Sequence, residues 1–234
     1  MTDSRTIVIT GANRGIGLQL VRHFASQGAR VIATYRDAGR SAELLELIEQ
    51  NPHNIRGFVL NVADASSVEE FEKMLVTTNE PVDTLINNAG MLKEYAASLE
   101  SLSFDQMELM FGVNTWGPMR VTRALLPLLR KSSNPVVVNM SSKVGSIADN
   151  SSGGAYGYRM SKAALNMFNK SFSIEQPEII SVVLHPGWVK TDMGGPNAPT
   201  TPEESVAGLV KQITGFTKEH SGRFFDFRGA EIPW

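Results

Sequence analysis

The sequence predicts an α/β fold: a single domain spanning residues 1–234, built around a seven-stranded, mostly parallel, doubly wound sheet with helices on both faces. Two observations predict it. Short runs of β-branched and apolar residues alternate with longer segments of helical periodicity, and no internal repeat or Gly/Ser-rich linker interrupts this alternation. A chain of 234 residues also lies near the upper size of one compact domain.

Seven runs have the composition of buried parallel strands. They are Thr6–Thr10, Arg30–Tyr35, Ile55–Asn61, Thr84–Asn87, Val136–Ser141, Ile180–His185 and Arg223–Phe227. After the first run, Ile16, Leu20 and Phe24 fall on one face of a helix, and Gly28 stands where a C′ glycine would end it. The first two strands and this helix therefore form a βαβ unit.

Three later helices have starts marked by capping-box pairs, in which a hydroxyl accepts a hydrogen bond from a backbone N–H three residues on. The pairs are Ser66 with Glu69, Ser103 with Gln106 and Thr201 with Glu204. Between the sixth strand and the last of these helices, three prolines and three glycines occur with little periodicity. We expect residues 186–201 to form a loop that covers a cofactor or substrate.

Composition excludes several function classes. The formal net charge of −2 gives no basic surface for nucleic acid and no polybasic membrane anchor. No apolar run reaches the roughly 18 residues of a membrane span and no signal sequence precedes the first strand, so we expect a cytoplasmic protein without membrane partners. Cysteine is absent, which excludes disulfides and thiolate sites, and the four histidines lack ligand spacing, so we predict no metal site.

A glycine-rich turn follows the first strand directly and leads into the first helix. It reads Gly11-Ala12-Asn13-Arg14-Gly15-Ile16-Gly17. Its glycines would let the backbone approach a pyrophosphate lying on the helix N-terminus, as in a Rossmann-type dinucleotide site. The alternative is an ordinary glycine-rich turn, but the strand before it and the helix after it favour the dinucleotide site. We therefore expect a cofactor to bind at Gly11, Asn13, Arg14, Gly15, Ile16 and Gly17.

The end of the second strand predicts which dinucleotide binds, because it meets the adenosine ribose in this fold. The chain there reads Tyr35-Arg36-Asp37. Arg36 and Arg14 would place two guanidinium groups on one 2′-phosphate, which favours NADP(H). Alternatively, Arg36 is solvated and Asp37 accepts a hydrogen bond from the 2′-hydroxyl, which would favour NAD(H).

Tyr158 and Lys162 lie four residues apart, so they share one face of a helix that should begin near Ala155. Taken alone, they would be an ordinary solvated pair. A phenol has a pKa of about 10 and needs a nearby cation to transfer protons near neutral pH, and Lys162 would supply it. At the end of the fifth strand, Ser142 can polarise a carbonyl in the crevice at the carboxyl edge of the sheet, and Ser141 is the competing candidate.

Asparagines at two places in the chain complete the set of candidate site residues. Asn87-Asn88-Ala89-Gly90 ends the fourth strand at the same edge, and Asn114 lies in the helical stretch that follows. Taken singly, each asparagine would more often be a structural hydrogen-bonding group. In order along the whole chain, however, the glycine turn, Asn-Asn-Ala-Gly, Ser, Tyr-x-x-x-Lys and Pro-Gly motifs resemble those of the short-chain dehydrogenase/reductase family.

The resemblance implies a role for each motif. Tyr158 would be the general acid in carbonyl reduction, Lys162 would lower its pKa and hold the nicotinamide ribose, and Ser142 would orient the carbonyl. Asn114 would complete a proton relay through water. The implied cofactor contacts are Tyr158, Lys162, Asn61, Val62, Asn88, Ala89, Gly90, Pro186, Gly187, Val189 and Thr191.

Two features depart from the family pattern. Asn61 precedes Val62 after the third strand, where many members have Asp-Val to meet adenine, although an amide oxygen can still accept that hydrogen bond. Ser142 and Tyr158 are sixteen positions apart, which is longer than usual in the family. Ser142 therefore fits its role only if Asp149–Gly154 bulges outward, which its glycines and serines favour.

The long segment between Ser142 and Tyr158 and the ending Ile232-Pro233-Trp234 resemble the corresponding parts of the C-factor and sniffer carbonyl reductase subgroup. We predict an NADP(H)-dependent oxidoreductase that reduces an aldehyde, ketone or quinone, with Lys143 and Trp188 as substrate contacts beside Ser142. The alternative is a nicotinamide-binding regulatory or developmental signalling protein with little turnover; a methyltransferase on a related sheet would leave the Tyr-Lys pair unexplained. By analogy with the family's usual contact face, a homodimer or homotetramer is expected.

Overall fold

Within residues 5–234, which the computed structural model describes, seven strands form one sheet in which every neighbouring pair is parallel. The strands are β1 Thr6–Ile9, β2 Arg30–Tyr35, β3 Ile55–Val59, β4 Thr84–Asn87, β5 Val136–Met140, β6 Ile180–His185 and β7 Phe224–Asp226. They run across the sheet in the order β3-β2-β1-β4-β5-β6-β7. The predicted fold class is confirmed, and every strand begins and ends within two residues of its predicted bounds.

Helices cover both faces of the sheet. In the described part of the chain they are α1 Gly15–Ser26, α2 Ala42–Gln50, α3 Ala65–Val76, α4 Phe104–Phe111, α5 Gly117–Leu129, α6 Tyr156–Glu175 and α7 Pro202–Gly215. One core cluster packs α1, α2 and α7 onto one face and includes the fully buried Leu20 and Leu209. The other packs α3, α5 and α6 onto the opposite face and includes Phe71 and Leu125. Burial on both faces explains why the strands are almost continuously apolar.

The order of the strands places a crevice at one edge of the sheet. β1 pairs with β2 on one side and with β4 on the other, so the direction of the crossovers reverses at β1. At such a switch point the connections after the two strands separate and leave a crevice outside their carboxyl ends. The turn after β1 and the segment after β4 therefore face each other. Among residues 5–234, no helix combines the length and the apolar character needed to cross a bilayer.

One helix start differs from its prediction. Ser103 and Thr201 cap α4 and α7 as expected, each accepting a hydrogen bond from the backbone N–H three residues on, at 3.3 and 3.1 Å. Helix α3 instead begins after Asp64, whose carboxylate accepts from the backbone N–H (2.9 Å) and the hydroxyl (2.8 Å) of Ser66. The prediction of Ser66 as the cap is wrong, because a carboxylate two residues earlier already satisfies the first turn.

Candidate functional site

The glycine turn is packed tightly against the end of β4. Gly11 has a left-handed φ of +62°, and a Cβ there would lie 2.8 Å from Ala89 Cα. A Cβ on Gly17 would lie 2.4 Å from the Gly11 carbonyl oxygen and 2.6 Å from Asn88 Nδ2. A side chain at either position would collide with its neighbours, so these glycines let the turn close onto Asn88 and Ala89.

Asn88 and Ala89 hold the two strand ends together. The Asn88 amide donates to the carbonyl oxygens of Thr10 and Gly11, both at 2.9 Å. The Thr10 hydroxyl accepts from the backbone N–H groups of Asn88 and Ala89, both at 3.0 Å. Gly90 follows Ala89 in the chain. The Asn-Ala-Gly segment therefore forms one side of the crevice and fixes its distance from the turn.

The N-terminus of α1 opens toward this crevice. Arg14 occupies its N-cap in an extended conformation, and the Arg14 side chain forms no capping hydrogen bond with any described residue. The N–H groups of the first turn, Gly15 to Gly17, are therefore available to an anion, which the helix dipole also favours. Across the crevice, Thr191 Cγ2 would lie 3.3 Å from a Cβ on Gly15. Ile16 packs on the core, and the bare backbone beside it fits a dinucleotide's pyrophosphate.

Three arginines lie around the glycine turn and the end of β2. Arg36 is exposed immediately after β2. The Asn13 amide donates to the carbonyl oxygen of Arg40 at 2.9 Å, which brings a second exposed arginine beside the turn. Arg14 forms an exposed ion pair with Asp192. In the sequence, Arg40 has only one signal: it is a further arginine four positions after Arg36.

Asp37 is already used in local structure. Its carboxylate accepts a hydrogen bond from Gly39 N at 2.9 Å and caps a short 3₁₀ helix, Ala38–Arg40. Its carbonyl oxygen accepts from the Ser41 hydroxyl at 2.6 Å. The carboxylate that would bind a ribose 2′-hydroxyl is therefore engaged within its own turn, whereas the guanidinium of Arg36 beside it is exposed.

Asn61 and Val62 stabilise the turn that follows β3. Asn61 Oδ1 accepts from Ala63 N at 3.3 Å, as in an Asx turn. Val62 is 6% exposed and lies under the start of α5, where a Cβ on Gly117 would come within 2.8 Å of Val62 Cγ2. The amide oxygen that the resemblance assigned to adenine is thus engaged by the chain itself.

The structure brings Ser142 and Tyr158 together. The Ser142 side chain lies close enough to the phenol of Tyr158 to lower its pKa. The Ser141 hydroxyl instead donates to Asn166 Oδ1 in the interior, at 2.7 Å. Adjacent side chains of an extended segment point to opposite sides, which separates the two serines. Ser142, and not Ser141, therefore lies beside the phenol.

An exposed bulge absorbs the sixteen positions between these residues. Residues 147–154 are all exposed, as expected for an outward bulge. Gly153 and Gly154 have left-handed φ values of +63° and +64°, which glycine adopts without steric cost. Ala155 follows with a φ of +47° and stands at the N-cap of α6. The chain thus returns to the sheet edge in time to place the phenol next to the serine hydroxyl.

Burial governs the pKa values of Tyr158 and Lys162. The pKa of Tyr158 is raised to about 12, mainly by desolvation. The Ser142 side chain lowers this pKa, whereas Tyr95 raises it further. Lys162 is 4% exposed, and desolvation lowers its pKa to about 8. Its ammonium donates to Met140 O at 2.8 Å and lies 5.8 Å from the Tyr158 ring centroid. The expected lowering of the phenol pKa by Lys162 is not seen, because the ammonium bonds to the backbone and burial dominates.

Asn114 ties the segment after Gly90 to helix α6. It lies in a π-helical turn, Gly112–Trp116, of a kind that is frequent at functional sites. Its Oδ1 accepts from Met91 N at 2.8 Å, and its Nδ2 donates to Met91 O at 2.8 Å and to the Ser161 hydroxyl at 3.0 Å. Asn114 therefore positions the crevice wall directly against the residue before Lys162.

The segment 186–201 is anchored at its start. The Pro186 carbonyl accepts from the hydroxyl of Ser205, on α7, at 2.6 Å. Gly187 has a left-handed φ of +90°, and Val189 is only 4% exposed. The first residues of the segment therefore turn inward after β6, next to the carboxyl ends of the central strands.

The remainder of the segment lies along the rim of the crevice. The Thr191 hydroxyl accepts from Gly194 N at 3.2 Å, and Trp188 Nε1 donates to Gly194 O at 2.7 Å. A Cβ on Gly90 would lie 3.8 Å from Met193 Cε, so the segment reaches across to the opposite wall. Trp188 remains 57% exposed, which leaves its ring available to a ligand.

Two more side chains lie near the phenol or the serine. Lys143 follows Ser142 and forms a half-exposed ion pair with Asp149, in the bulge, at 3.3 Å. Tyr95 packs edge-on against Tyr158 with ring centroids 6.5 Å apart, and it is 49% exposed. The sequence does not mark Tyr95 as a site residue, because Tyr95 lies in an irregular segment between β4 and α4 whose path no periodicity predicts.

Comparison with known proteins identifies similar sequences over the whole chain. A protein-family model described as short chain dehydrogenase matches residues 5–201. The C-signal protein of Myxococcus xanthus is 51% identical over 156 residues, which cover 66% of this chain and 93% of that protein. The 1-hydroxy-2-glutathionyl-2-methyl-3-butene dehydrogenase of a Rhodococcus species, strain AD45, is 32% identical over 235 residues, covering 98% of this chain and 99% of that enzyme.

Solved structures of carbonyl reductases superimpose on this chain over nearly its whole length. The NADPH-bound carbonyl reductase from chicken fatty liver superimposes with a TM-score of 0.92 at 35% identity and covers 99% of both chains. The carbonyl reductase Sniffer of Drosophila melanogaster also gives a TM-score of 0.92, at 32% identity, over 99% of this chain and 100% of that one. A carbonyl reductase of Pseudomonas aeruginosa in complex with NADP gives 0.85 at 34% identity, over 99% and 100%.

Proposed function

Because this chain belongs to the short-chain dehydrogenase/reductase family of oxidoreductases, we propose that it uses NADPH to reduce the carbonyl group of an aldehyde, ketone or quinone. The observation that carries the proposal is the proximity of Ser142 to the phenol of Tyr158, beside a crevice that fits a dinucleotide. Two neighbouring hydroxyls can both donate to a carbonyl oxygen placed between them. The similarity to carbonyl reductases supports this reaction.

We propose NADP(H), with NAD(H) as the weaker alternative, because the adenosine end of the crevice is basic. Arg36 and Arg40 are exposed near the glycine turn, and Arg14 lies within it. A 2′-phosphate would displace Asp192 as the partner of Arg14 and gain charge-assisted hydrogen bonds. The carboxylate of Asp37, which an NAD site would use, caps a 3₁₀ helix instead.

The proposed contacts follow the crevice from one end to the other. Arg14, Arg36 and Arg40 would hold the 2′-phosphate, and Asn61 and Val62 would lie at the adenine. The pyrophosphate would lie on Gly11, Asn13, Gly15, Ile16, Gly17 and Thr191, and the nicotinamide half would contact Asn88, Ala89, Gly90, Pro186, Gly187, Val189, Tyr158 and Lys162. The substrate would meet Ser142, Lys143, Tyr95 and Trp188.

In the proposed mechanism, a bound reduced nicotinamide supplies the hydride. Ser142 and Tyr158 hold the carbonyl oxygen, and the phenol transfers its proton to that oxygen as negative charge develops there. A phenol pKa of about 12 keeps Tyr158 protonated at neutral pH, which suits a general acid. Lys162, with a pKa of about 8, is mainly cationic at pH 7 and would hold the nicotinamide ribose. Asn114 supports the return of a proton from water by fixing α6 beside Lys162.

The proposal predicts that Tyr158→Phe removes the proton donor but keeps the shape of the site. We expect kcat for a quinone such as 9,10-phenanthrenequinone to fall by about 10²- to 10⁴-fold, with NADPH affinity within twofold of the wild type, measured by nucleotide fluorescence. Tyr156→Phe is the matched control, because Tyr156 is an exposed phenol at the start of the same helix. Wild-type turnover by Tyr158→Phe would contradict the assignment.

A second candidate function rests on the similarity to the C-signal protein, of which this chain matches 93%. In that alternative the chain binds a nicotinamide dinucleotide for regulation or developmental signalling and turns over little substrate. The paired Ser142 and Tyr158 favour catalysis, because binding alone requires no acid/base group. Absence of NADPH oxidation across a panel of aldehydes, ketones and quinones would favour signalling.

Self-association is also proposed. Apolar side chains are exposed on neighbouring helices at Phe104 and Leu109 of α4, Met119 of α5 and Met167 of α6, with exposures of 40% to 73%. We propose that these exposed apolar side chains contribute to a contact with a second copy of the chain. Light scattering would distinguish the expected homodimer or homotetramer from a monomer.

A further inference from the structure

Arg159 forms an unusual set of hydrogen bonds immediately after Tyr158. Its Nε donates to the carbonyl oxygens of Gly153 and Gly154, both at 3.2 Å. Its Nη1 donates to Val144 O at 3.0 Å, and its Nη2 donates to the Ser152 hydroxyl at 2.8 Å. One guanidinium therefore binds four acceptors, all of which belong to the segment between Ser142 and α6.

These acceptors lie at the two ends of the exposed bulge. Val144 belongs to a short 3₁₀ helix, Lys143–Gly145, that starts directly after Ser142. Ser152 and the two glycines after it precede the N-cap of α6. Arg159 thus joins the chain leaving Ser142 to the chain returning to Tyr158, and the flat guanidinium fork suits such multiple bonding to carbonyl oxygens.

The backbone is strained where the bulge meets α6. Three consecutive residues, Gly153 to Ala155, have left-handed φ values, and for Ala155 this conformation costs roughly 1–2 kcal/mol. The tip is held separately, by the Ala148 N–H donating to Trp234 O at 2.9 Å and by Asn150 Oδ1 accepting from Gly153 N at 3.0 Å. The Arg159 residue is half-buried; its bond to Val144 O is part-buried, and its bonds to Ser152, Gly153 and Gly154 are exposed.

We propose that Arg159 is a positioning residue for catalysis: by clamping both ends of the bulge, it fixes Ser142 against the phenol of Tyr158. This inference rests on the proposed function. Arg159 acts through Ser142, because none of its hydrogen bonds goes to the phenol, the serine hydroxyl or the buried ammonium in the described structure. A lysine at this position would keep the charge but could not reach both ends at once.

The test compares Arg159→Met, which keeps the length of the stem, with Arg159→Lys and with the control Lys170→Met, an exposed cation farther along α6. Hydrogen exchange of residues 144–155 and kinetics with NADPH and 9,10-phenanthrenequinone are measured. For Arg159→Met we expect at least tenfold faster exchange in this segment and at least tenfold lower kcat/KM, with NADPH affinity and Tm close to the wild type. Arg159→Lys should be intermediate, and Lys170→Met should be unchanged.

A pH profile separates positioning from loss of structure. The Ser142 side chain lowers the pKa of Tyr158, so displacement of Ser142 should move the rise of alcohol oxidation to higher pH in Arg159→Met. Wild-type exchange and kinetics in that variant would overturn the proposal. If the wild type turned over no carbonyl, the proposed function would fail, and the exchange measurement alone would decide whether Arg159 clamps the bulge.

Discussion

Lys162 places a positive charge in the interior of the protein. Its side chain is 4% exposed, and its ammonium donates to Met140 O. An ammonium has three donors and is strongly hydrated in the unfolded chain, so burial favours the neutral amine and lowers the pKa to about 8. The protein therefore keeps a group that opposes folding at neutral pH, as is common where a charge serves a reaction.

This burial predicts how stability depends on pH. Between about pH 8 and 10.5 the unfolded chain keeps the Lys162 proton while the folded chain loses it, so this group makes the free energy of unfolding rise with pH across that window. Below pH 8 both states are protonated and the contribution is constant. Lys162→Met should remove the rise and should be more stable than the wild type at pH 7, by about 3 kcal/mol or less.

Urea unfolding at pH 7 and pH 9.5 checks this prediction. Lys170→Met is the control, because this exposed lysine on the same helix should leave the wild-type slope intact. Parallel pH profiles for the wild type and Lys162→Met would show that the ammonium is not desolvated as described.

Single residues also show what the sequence could and could not predict. Tyr158, Lys162 and the glycines were identifiable because their spacing fits a helix face and a phosphate-binding turn, and because their order along the chain resembles that of a known family. The choice between Ser141 and Ser142 needed the observed partners, since both follow the same strand. Tyr95 was not identifiable, because its contact depends on the path of an irregular segment.

Secondary structure was predicted best where local chemistry decides it. Thr201 caps α7 and Ser103 caps α4, because each hydroxyl meets a free N–H three residues on. Asp64 was missed as the cap of α3, because two suitable residues stand close together and only the exit from β3 decides between them. The π-helical turn Gly112–Trp116 was not predicted, since it depends on Asn114 bonding to Met91 and α6.

The cap of α7 gives a direct prediction. Thr201→Ala removes the acceptor of Glu204 N and should lower the free energy of unfolding by about 1 kcal/mol. Thr214→Ala, at the other end of the same helix, removes only a hydroxyl that donates back to Val210 O and should change stability by about 0.5 kcal/mol or less. Equal effects of the two substitutions in urea unfolding would argue against the cap.

At the scale of the whole molecule, the position of the site follows from the strand order. The adjacency of β1 and β4 brings the glycine turn opposite Asn88 and Ala89, and alternating strands and helices were enough to predict it. The sequence predicted that the segment 186–201 would cover a ligand, but it did not predict that Met193 would reach Gly90 or that Arg14 would pair with Asp192, because both contacts depend on a loop without periodicity.

A crevice of this kind should couple cofactor binding to global stability. At a concentration of NADPH one hundred times its Kd, we expect about 2.7 kcal/mol of stabilisation and a rise in Tm of roughly 5–10 °C. Arg36→Asp should lose most of the rise at the same NADPH concentration, whereas Arg123→Asp, on the distant helix α5, should keep it. An equal rise in all three proteins in thermal scans would exclude Arg36 from the 2′-phosphate site.

The pairing of β1 with β4 also governs how the chain can fold as it leaves the ribosome. β1, β2 and β3 can associate early, but one edge of β1 has no strand to bind until Thr84–Leu85–Ile86 has been synthesised. The nascent half-sheet therefore carries an open, apolar edge from the completion of β3 at Val59 until β4 is complete at Asn87, and such edges invite intermolecular pairing. Arrival of β4 closes that edge and, in the same step, creates the crevice.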